Sequence, residues 1–209
     1  MNKPELVIFD CDGVLVDSEV ITNTVMAESL SANGLPLTLE ACMGLFVGAT
    51  MANVKIQAEG LGAVLPDDWV EVIYTEIYAR LKQSCPLVEG VVGVLDALDD
   101  AGIRYCVASN GRFEKMEITL GQNGLLERFG ERIYSAQALG TAKPAPELFW
   151  HAAQGVPHEC CVVVEDSLNG VRAAAAAGMR CFGYTPDGGA LEQALPFRKM
   201  ADLPALLLG

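Results

Sequence analysis

Two carboxylates, Asp10 and Asp12, stand two residues apart where the apolar run Leu6-Val7-Ile8-Phe9 stops, and Gly13 follows them. An unbroken apolar run of this length suits a strand buried on both faces, as in a parallel sheet. Open α/β sheets bind ligands just beyond the carboxyl ends of their strands, which is where this acidic pair falls. Strict alternation would aim both side chains the same way, but the glycine signals that the chain is already turning. One carboxylate then faces a pocket squarely and the other reaches it from a loop. That asymmetry suits two different chemical roles. Taken alone, Asp-x-Asp-Gly is equally an ordinary strand-to-helix turn, with Asp17 or Ser18 capping the next helix.

Three further polar signals shift the balance. Ser109-Asn110-Gly111 and Glu165-Asp166-Ser167 each end an apolar, strand-like run, and Lys143 lies in the loop Thr141-Ala142-Lys143-Pro144-Ala145-Pro146. Singly these read as a turn, a helix cap and a loop lysine. Parallel strands bring their carboxyl ends to one edge, so together they predict a convergent set. Its acids can hold a hard cation, while a hydroxyl, a helix N-terminus and a lysine can hold a phosphate.

The elements that must position these groups fall into two kinds. Residues 17–85 read as helical almost throughout: Glu19 to Asn33 stopped by Gly34 and Pro36, a short helix opened by Thr38, Thr50 to Glu59 ended by Gly60, and a fourth from Pro66-Asp67-Asp68 to about Gln83. Trp69, Ile73, Ile77 and Leu81 recur at near-helical spacing, so the Trp and Tyr residues of this stretch belong to a core. Beyond Gly90 the pattern alternates. Helices are predicted at 91–100, 113–121, 146–154 and 168–177, strands at 104–108, 133–135, 161–164 and 179–183, and a last strand or short helix ends at Leu208. Alternation predicts βαβ units, hence an α/β fold with a doubly wound parallel sheet. Residues 1–16 and 86–209 would form that core, and 17–85 an inserted four-helix domain.

Composition sets limits on function. A chain of 209 residues, 51% hydrophobic, can bury a sizeable core in one or two domains. Its net charge of −13 and lack of clustered Lys or Arg argue against nucleic acid as a partner. A protein this acidic that handles a phosphate dianion must supply positive charge locally, from a metal or a few placed cations. The start, Met1-Asn2-Lys3-Pro4, has no leader-like apolar stretch, and no segment is long enough to span a membrane. Seven cysteines without a Cys-x-x-Cys pair agree with a cytoplasmic location and buried reduced thiols, Cys106, Cys161 and Cys181 among them. Adjacent Cys160-Cys161 is poor spacing for zinc. His151 and His158 lie beside no nucleophile signal and are expected at the surface or in caps.

On the four motifs Asp10-Cys11-Asp12-Gly13-Val14-Leu15-Val16-Asp17-Ser18-Glu19, Ser109-Asn110, Lys143-Pro144-Ala145-Pro146 and Glu165-Asp166-Ser167, the whole chain resembles the haloacid dehalogenase superfamily. The similarity is to the branch with a helical cap inserted after the first motif. It implies a Rossmann-like core, with Asp10 as a nucleophile that forms an aspartyl phosphate later hydrolysed by water. An aspartate, ordinarily ionised well below neutral pH, needs no base for that attack. Asp12 would protonate the leaving group and then take a proton from water. Mg²⁺ would be held by Asp10, the Asp12 backbone carbonyl and Asp166, with Glu165 direct or through water. Ser109 and Asn110 would bind phosphoryl oxygens, and Lys143 would neutralise charge.

The helical insert would act as a lid. Its loop Val47-Gly48-Ala49-Thr50-Met51 is expected to face the site, with Lys55 as the nearest base and Arg112 as a further candidate substrate contact. Family members that are true dehalogenases lack the second aspartate, so Asp12 points to phosphoryl chemistry. Three alternatives stay open. A β-phosphoglucomutase-like phosphomutase shares the motifs but carries a histidine in the first cap helix, where this chain has Thr22 and Asn23. A phospho-accepting receiver domain uses similar groups in a different order, and a silent binding protein would share the fold. The expected function is a Mg²⁺-dependent phosphatase for a small phosphorylated metabolite, a sugar or sugar-acid phosphate, with no nucleic-acid or membrane partner. Substrate identity and oligomeric state are not set by the sequence.

Overall fold

Four consecutive apolar residues, Leu6–Phe9, form β1 and all are buried. Burial on both faces follows from the position of β1 in the computed structural model, which describes residues 3–46 and 49–209. The sheet has six strands, all parallel, in the order β3-β2-β1-β4-β5-β6. The other five are β2 (Arg104–Ser109), β3 (Ile133–Ser135), β4 (Cys161–Glu165), β5 (Arg180–Tyr184) and β6 (Leu195–Phe197). Strand order reverses direction between β1 and β4, the switch point at which such sheets open a crevice beyond their carboxyl ends. Phe9 is level with Val107 on one side and Val164 on the other, so Asp10, Ala108 and Glu165 are the next residues out. The register itself aims the site.

Helices connect these strands in the predicted alternation. They are α5 (Val91–Asp100), α6 (Phe113–Gly121), α7 (Leu125–Phe129), α8 (Glu147–Ala153), α9 (Leu168–Ala176) and α10 (Leu203–Leu208). On one side of the sheet Ile8, Cys106 and Val163 pack with Leu148 and Phe149 of α8 and with Val171, Ala173 and Ala174 of α9. The alanines of α9 let that helix lie close to β4 and β5. The expected last element resolves into both a strand, β6, and a short helix, α10. Helix α7 was not foreseen, because a five-residue helix between Gly124 and Gly130 is too short to show a period.

The chain divides into two compact units, residues 1–17 with 86–209, and residues 18–85. The second contains α1 (Glu19–Ala32), α2 (Leu39–Leu45), α3 (Met51–Gly60) and α4 (Trp69–Gln83). Thr38 and Thr50 cap α2 and α3 by accepting from the Ala41 and Asn53 N–H groups. Trp69 is buried and donates its indole N–H to Ser29 Oγ at 3.0 Å, while Ile73, Ile77 and Leu81 continue the buried stripe of α4. In the first unit, Asp17 N–H donates to Pro86 O and Val88 N–H to Leu15 O, so the chain leaves and re-enters it through paired backbone. All seven cysteines are free and all but Cys160 are buried. Among the described residues no helix is long and apolar enough to cross a membrane.

Ile8 sits at the centre of the sheet with no exposed surface. Ile8→Ala should cost about 2–5 kcal/mol of stability, read as a lower guanidinium unfolding midpoint, because the surrounding strands cannot collapse into the space left.

Candidate active site

Lys143 is the hub on which the strand tips converge. Its ammonium donates to Asp10 Oδ1 at 2.6 Å, to Glu165 Oε1 at 2.5 Å and to Ala108 O at 2.8 Å, which uses all three of its protons. Only 3% of the side chain is exposed, and the ring of Phe149 lies 5.2 Å from the nitrogen. The loop that carries it is tied to the tip of β2, because Lys143 N–H donates to Asn110 Oδ1 at 2.8 Å. Asn110 therefore acts on the lysine loop through its side chain.

Glu165 is fully buried at the end of β4. With Oε1 on the lysine, its Oε2 accepts from Asp166 N–H, Ser167 N–H and Ser167 Oγ at 3.2, 3.2 and 2.9 Å. The carboxylate rests directly over Gly170 of α9, where a Cβ would fall 1.8 Å from the Glu165 Cδ. Asp166 is seated in the same way over Gly13, where a Cβ would lie 1.9 Å from Asp166 Oδ2. Gly13 also has φ +76°, so both its missing side chain and its backbone freedom are used. Oxygen atoms of Asp10, Glu165 and Asp166 lie within 4.8 Å of one another.

Asp12 turns away into a tight loop in which Gly13 N–H donates to Val16 O, and Leu15 and Val16 N–H both donate to Cys11 O. Its Oδ1 takes an ion pair from Lys115 Nζ at 2.7 Å. Lys115 lies in the first turn of α6, which follows Ser109-Asn110, and was not singled out from the sequence; the only signal was its nearness to that motif. Ser109 Oγ accepts from Gly111 N–H at 3.0 Å, which leaves the hydroxyl proton to be donated outward. Ser135, also unforeseen, donates its hydroxyl to Gly111 O at 2.7 Å and so holds the loop beyond β2 in place.

The charges are out of balance. Asp10, Glu165 and Asp166 contribute three negative charges against one positive charge from Lys143, and Asp12 and Lys115 cancel. Burial first, then Glu165 and Asp12, push the Asp10 carboxyl from 3.8 up to about 7 against the opposing pull of Lys143. Burial works to lower the Lys143 ammonium, yet Asp10 and Glu165 hold it above its ordinary value, so it remains charged. An excess of two negative charges on an all-oxygen donor set fits a hard divalent cation.

Other candidates are placed differently. Lys55 Nζ donates to Pro66 O and Asp67 O at 2.7 and 3.0 Å, so its ammonium ties down the loop before α4 within its own unit. Arg112 is half-buried at the start of α6. Of the loop expected to face the site, Val47 and Gly48 lie outside the described residues, and Thr50 caps α3. His151 is exposed and meets Tyr134 edge-on, and His158 stacks on Trp150.

The chain is similar in sequence and fold to known proteins. The sequence profile of haloacid dehalogenase-like hydrolases matches residues 4–178. The chain is 33% identical over 191 residues to 6-phosphogluconate phosphatase of Escherichia coli, covering 90% of this chain and 85% of that one. A haloacid dehalogenase-like protein of unknown function from Agrobacterium tumefaciens is 35% identical and superposes with a TM-score of 0.83 over 97% of both chains. A hydrolase from Deinococcus radiodurans, solved with bound phosphate and sodium, is 34% identical with a TM-score of 0.81, over 99% of this chain and 96% of that one.

Two outcomes follow from the packing and charge of the tips. A Gly→Ala change inside a helix usually stabilises by about 1 kcal/mol, whereas Gly170→Ala should lower the melting temperature because its methyl group displaces the Glu165 carboxylate. The raised Asp10 pKa means that the folded protein holds a proton the unfolded chain has shed between about 3.8 and about 7. Stability in chelator should therefore fall as pH rises through that window, and melts of Asp10→Asn should show a shallower fall.

Proposed function

This chain belongs to the haloacid dehalogenase-like hydrolases, and from that premise we propose that it is a phosphatase of small sugar or sugar-acid phosphates that works with Mg²⁺ through an aspartyl phosphate on Asp10. One observation carries the reading: Asp10 stands at the sheet's switch point with Lys143 on one carboxylate oxygen and Asp166 beside it. The name of the Escherichia coli relative supports the sugar-acid class of substrate.

The proposed steps use the groups at the strand tips. Asp10 attacks phosphorus, forming a P–O bond to its carboxylate as the bond to the leaving oxygen breaks. Asp12, carrying the proton it took from water in the preceding turnover, gives it to the departing alkoxide. It then takes a proton from a water that attacks the phosphorus of the aspartyl phosphate, which releases phosphate and restores Asp10. Ser109 donates its hydroxyl proton to a phosphoryl oxygen, and Lys143 offsets the charge of Asp10 as the phosphate approaches. Mg²⁺ would be held by Asp10 and Asp166 with the Asp12 carbonyl, and would supply the remaining positive charge that two anions need to meet. Glu165 has both oxygens engaged, so it serves by fixing Lys143 and the turn at Asp166. The four-helix unit is inserted between paired backbone at residues 17 and 86, and in this reading it contributes to the choice of substrate. Hydrolysis is favoured over a mutase reaction because Thr22 and Asn23 stand in α1 where the mutases of this family have a histidine.

A panel of phosphorylated sugars and sugar acids, assayed for inorganic phosphate with Mg²⁺ and with chelator, tests the proposal. Metal-dependent release without any bisphosphate activator is expected, and Asp10→Asn should reduce it by about 10³-fold or more while leaving the circular dichroism spectrum unchanged. Undiminished turnover by that variant would remove Asp10 as the nucleophile.

A further inference from the structure

Lys115 stands outside the four motifs, yet its ammonium lies 2.7 Å from Asp12 Oδ1. The pair is well enclosed, with 16% of the lysine side chain and 24% of the aspartate exposed. Several local features build the contact. Lys115 falls in the first turn of α6, so that helix presents it to the loop after β1. Thr119 is fully buried one turn later and donates its hydroxyl to the Lys115 carbonyl at 3.1 Å, which steadies that turn. Gly111 lies beside the pair: a Cβ there would lie 3.6 Å from Asp12 Oδ2 and 4.0 Å from Lys115 Cδ, ordinary contacts, and tightly at 3.2 Å from Ser109 Oγ. The lysine meets Oδ1 of the carboxylate, and Oδ2 lies on the Gly111 side.

We propose that Lys115 is a positioning residue that holds the Asp12 carboxylate by one oxygen so that the other meets the leaving-group oxygen of the substrate. The inference rests on the role given to Asp12 above. Lys115 itself makes and breaks no bond. The proton that reaches the leaving alkoxide comes from Asp12, and Asp12 recovers one from the attacking water. An aspartate without this anchor can rotate about its side-chain torsions, so proton transfer loses alignment while substrate binding and attack by Asp10 are untouched.

Leaving-group dependence separates this role from a structural one. An alkoxide needs protonation as it departs, whereas p-nitrophenolate leaves as a stable anion and does not. Because kcat/KM reports only the steps up to the aspartyl phosphate, Lys115→Met should lower it by about 10²-fold for the sugar phosphate best turned over in the panel, and by no more than about threefold for p-nitrophenyl phosphate. Lys115→Arg should restore most of the loss. Equal losses of kcat/KM on both substrates, or a rise in KM alone, would overturn the inference. Should Lys115→Met fail to fold, Lys115→Gln carries the same comparison. Asp12→Asn run in parallel distinguishes the two levels. If it shows the alkyl-selective loss and the Lys115 variants do not, the positioning role alone falls; if it shows no selectivity, the acid role of Asp12 falls with it.

Discussion

A single buried ammonium ties its own loop to three strands of the sheet. Lys143 comes from a loop, Asp10 from the tip of β1, Glu165 from the tip of β4 and the Ala108 carbonyl from β2. Burying such charges is costly, and the pairing repays that cost only where every hydrogen bond is made. Here each ammonium proton has an oxygen and each oxygen of Glu165 has a donor. Removing either partner would strand a charge in the interior, which typically costs about 3–5 kcal/mol. The arrangement thus fixes Asp10 in place while it remains chemically available.

That availability comes from a deliberate imbalance. Two buried carboxylates share one lysine beside a third, Asp166, at the rim, so the cluster keeps a net negative charge and the Asp10 carboxyl is pushed upward by burial. A cation in this place would complete the charge balance, and a phosphate dianion could then enter a site no longer repelling it. The protein as a whole is strongly acidic, with a net charge of −13. Local placement of a few cations, rather than overall charge, lets it handle an anion.

Glycines give the acids their seats. Gly13 and Gly170 each leave a space that a single methyl group would fill, and Asp166 and Glu165 occupy those spaces. The closeness matters because a carboxylate wedged against backbone cannot swing out of line. Ser135 and Asn110 do the corresponding work around Ser109 and Lys143, one holding the Gly111 carbonyl and the other the Lys143 amide.

The sequence by itself determined all the strands and helices of the parallel sheet except α7 and the split of the last element, the helical character of residues 17–85, and the side chains at the strand tips. Apolar runs, glycine stops and threonine caps act through neighbours a few residues away, so they can be read in one dimension. Tertiary structure decided what those side chains do to one another. Glu165, open from sequence as a ligand, proved to have both oxygens engaged, because its surroundings come from Lys143 and from α9. Lys55, a candidate for substrate, is turned to backbone carbonyls by the fold of its own unit. Lys115 and Ser135 came into the site only through the packing of α6 and β3, about 103 and 24 residues from their partners Asp12 and Gly111. Contacts over such separations depend on how elements stack, and no local pattern encodes that.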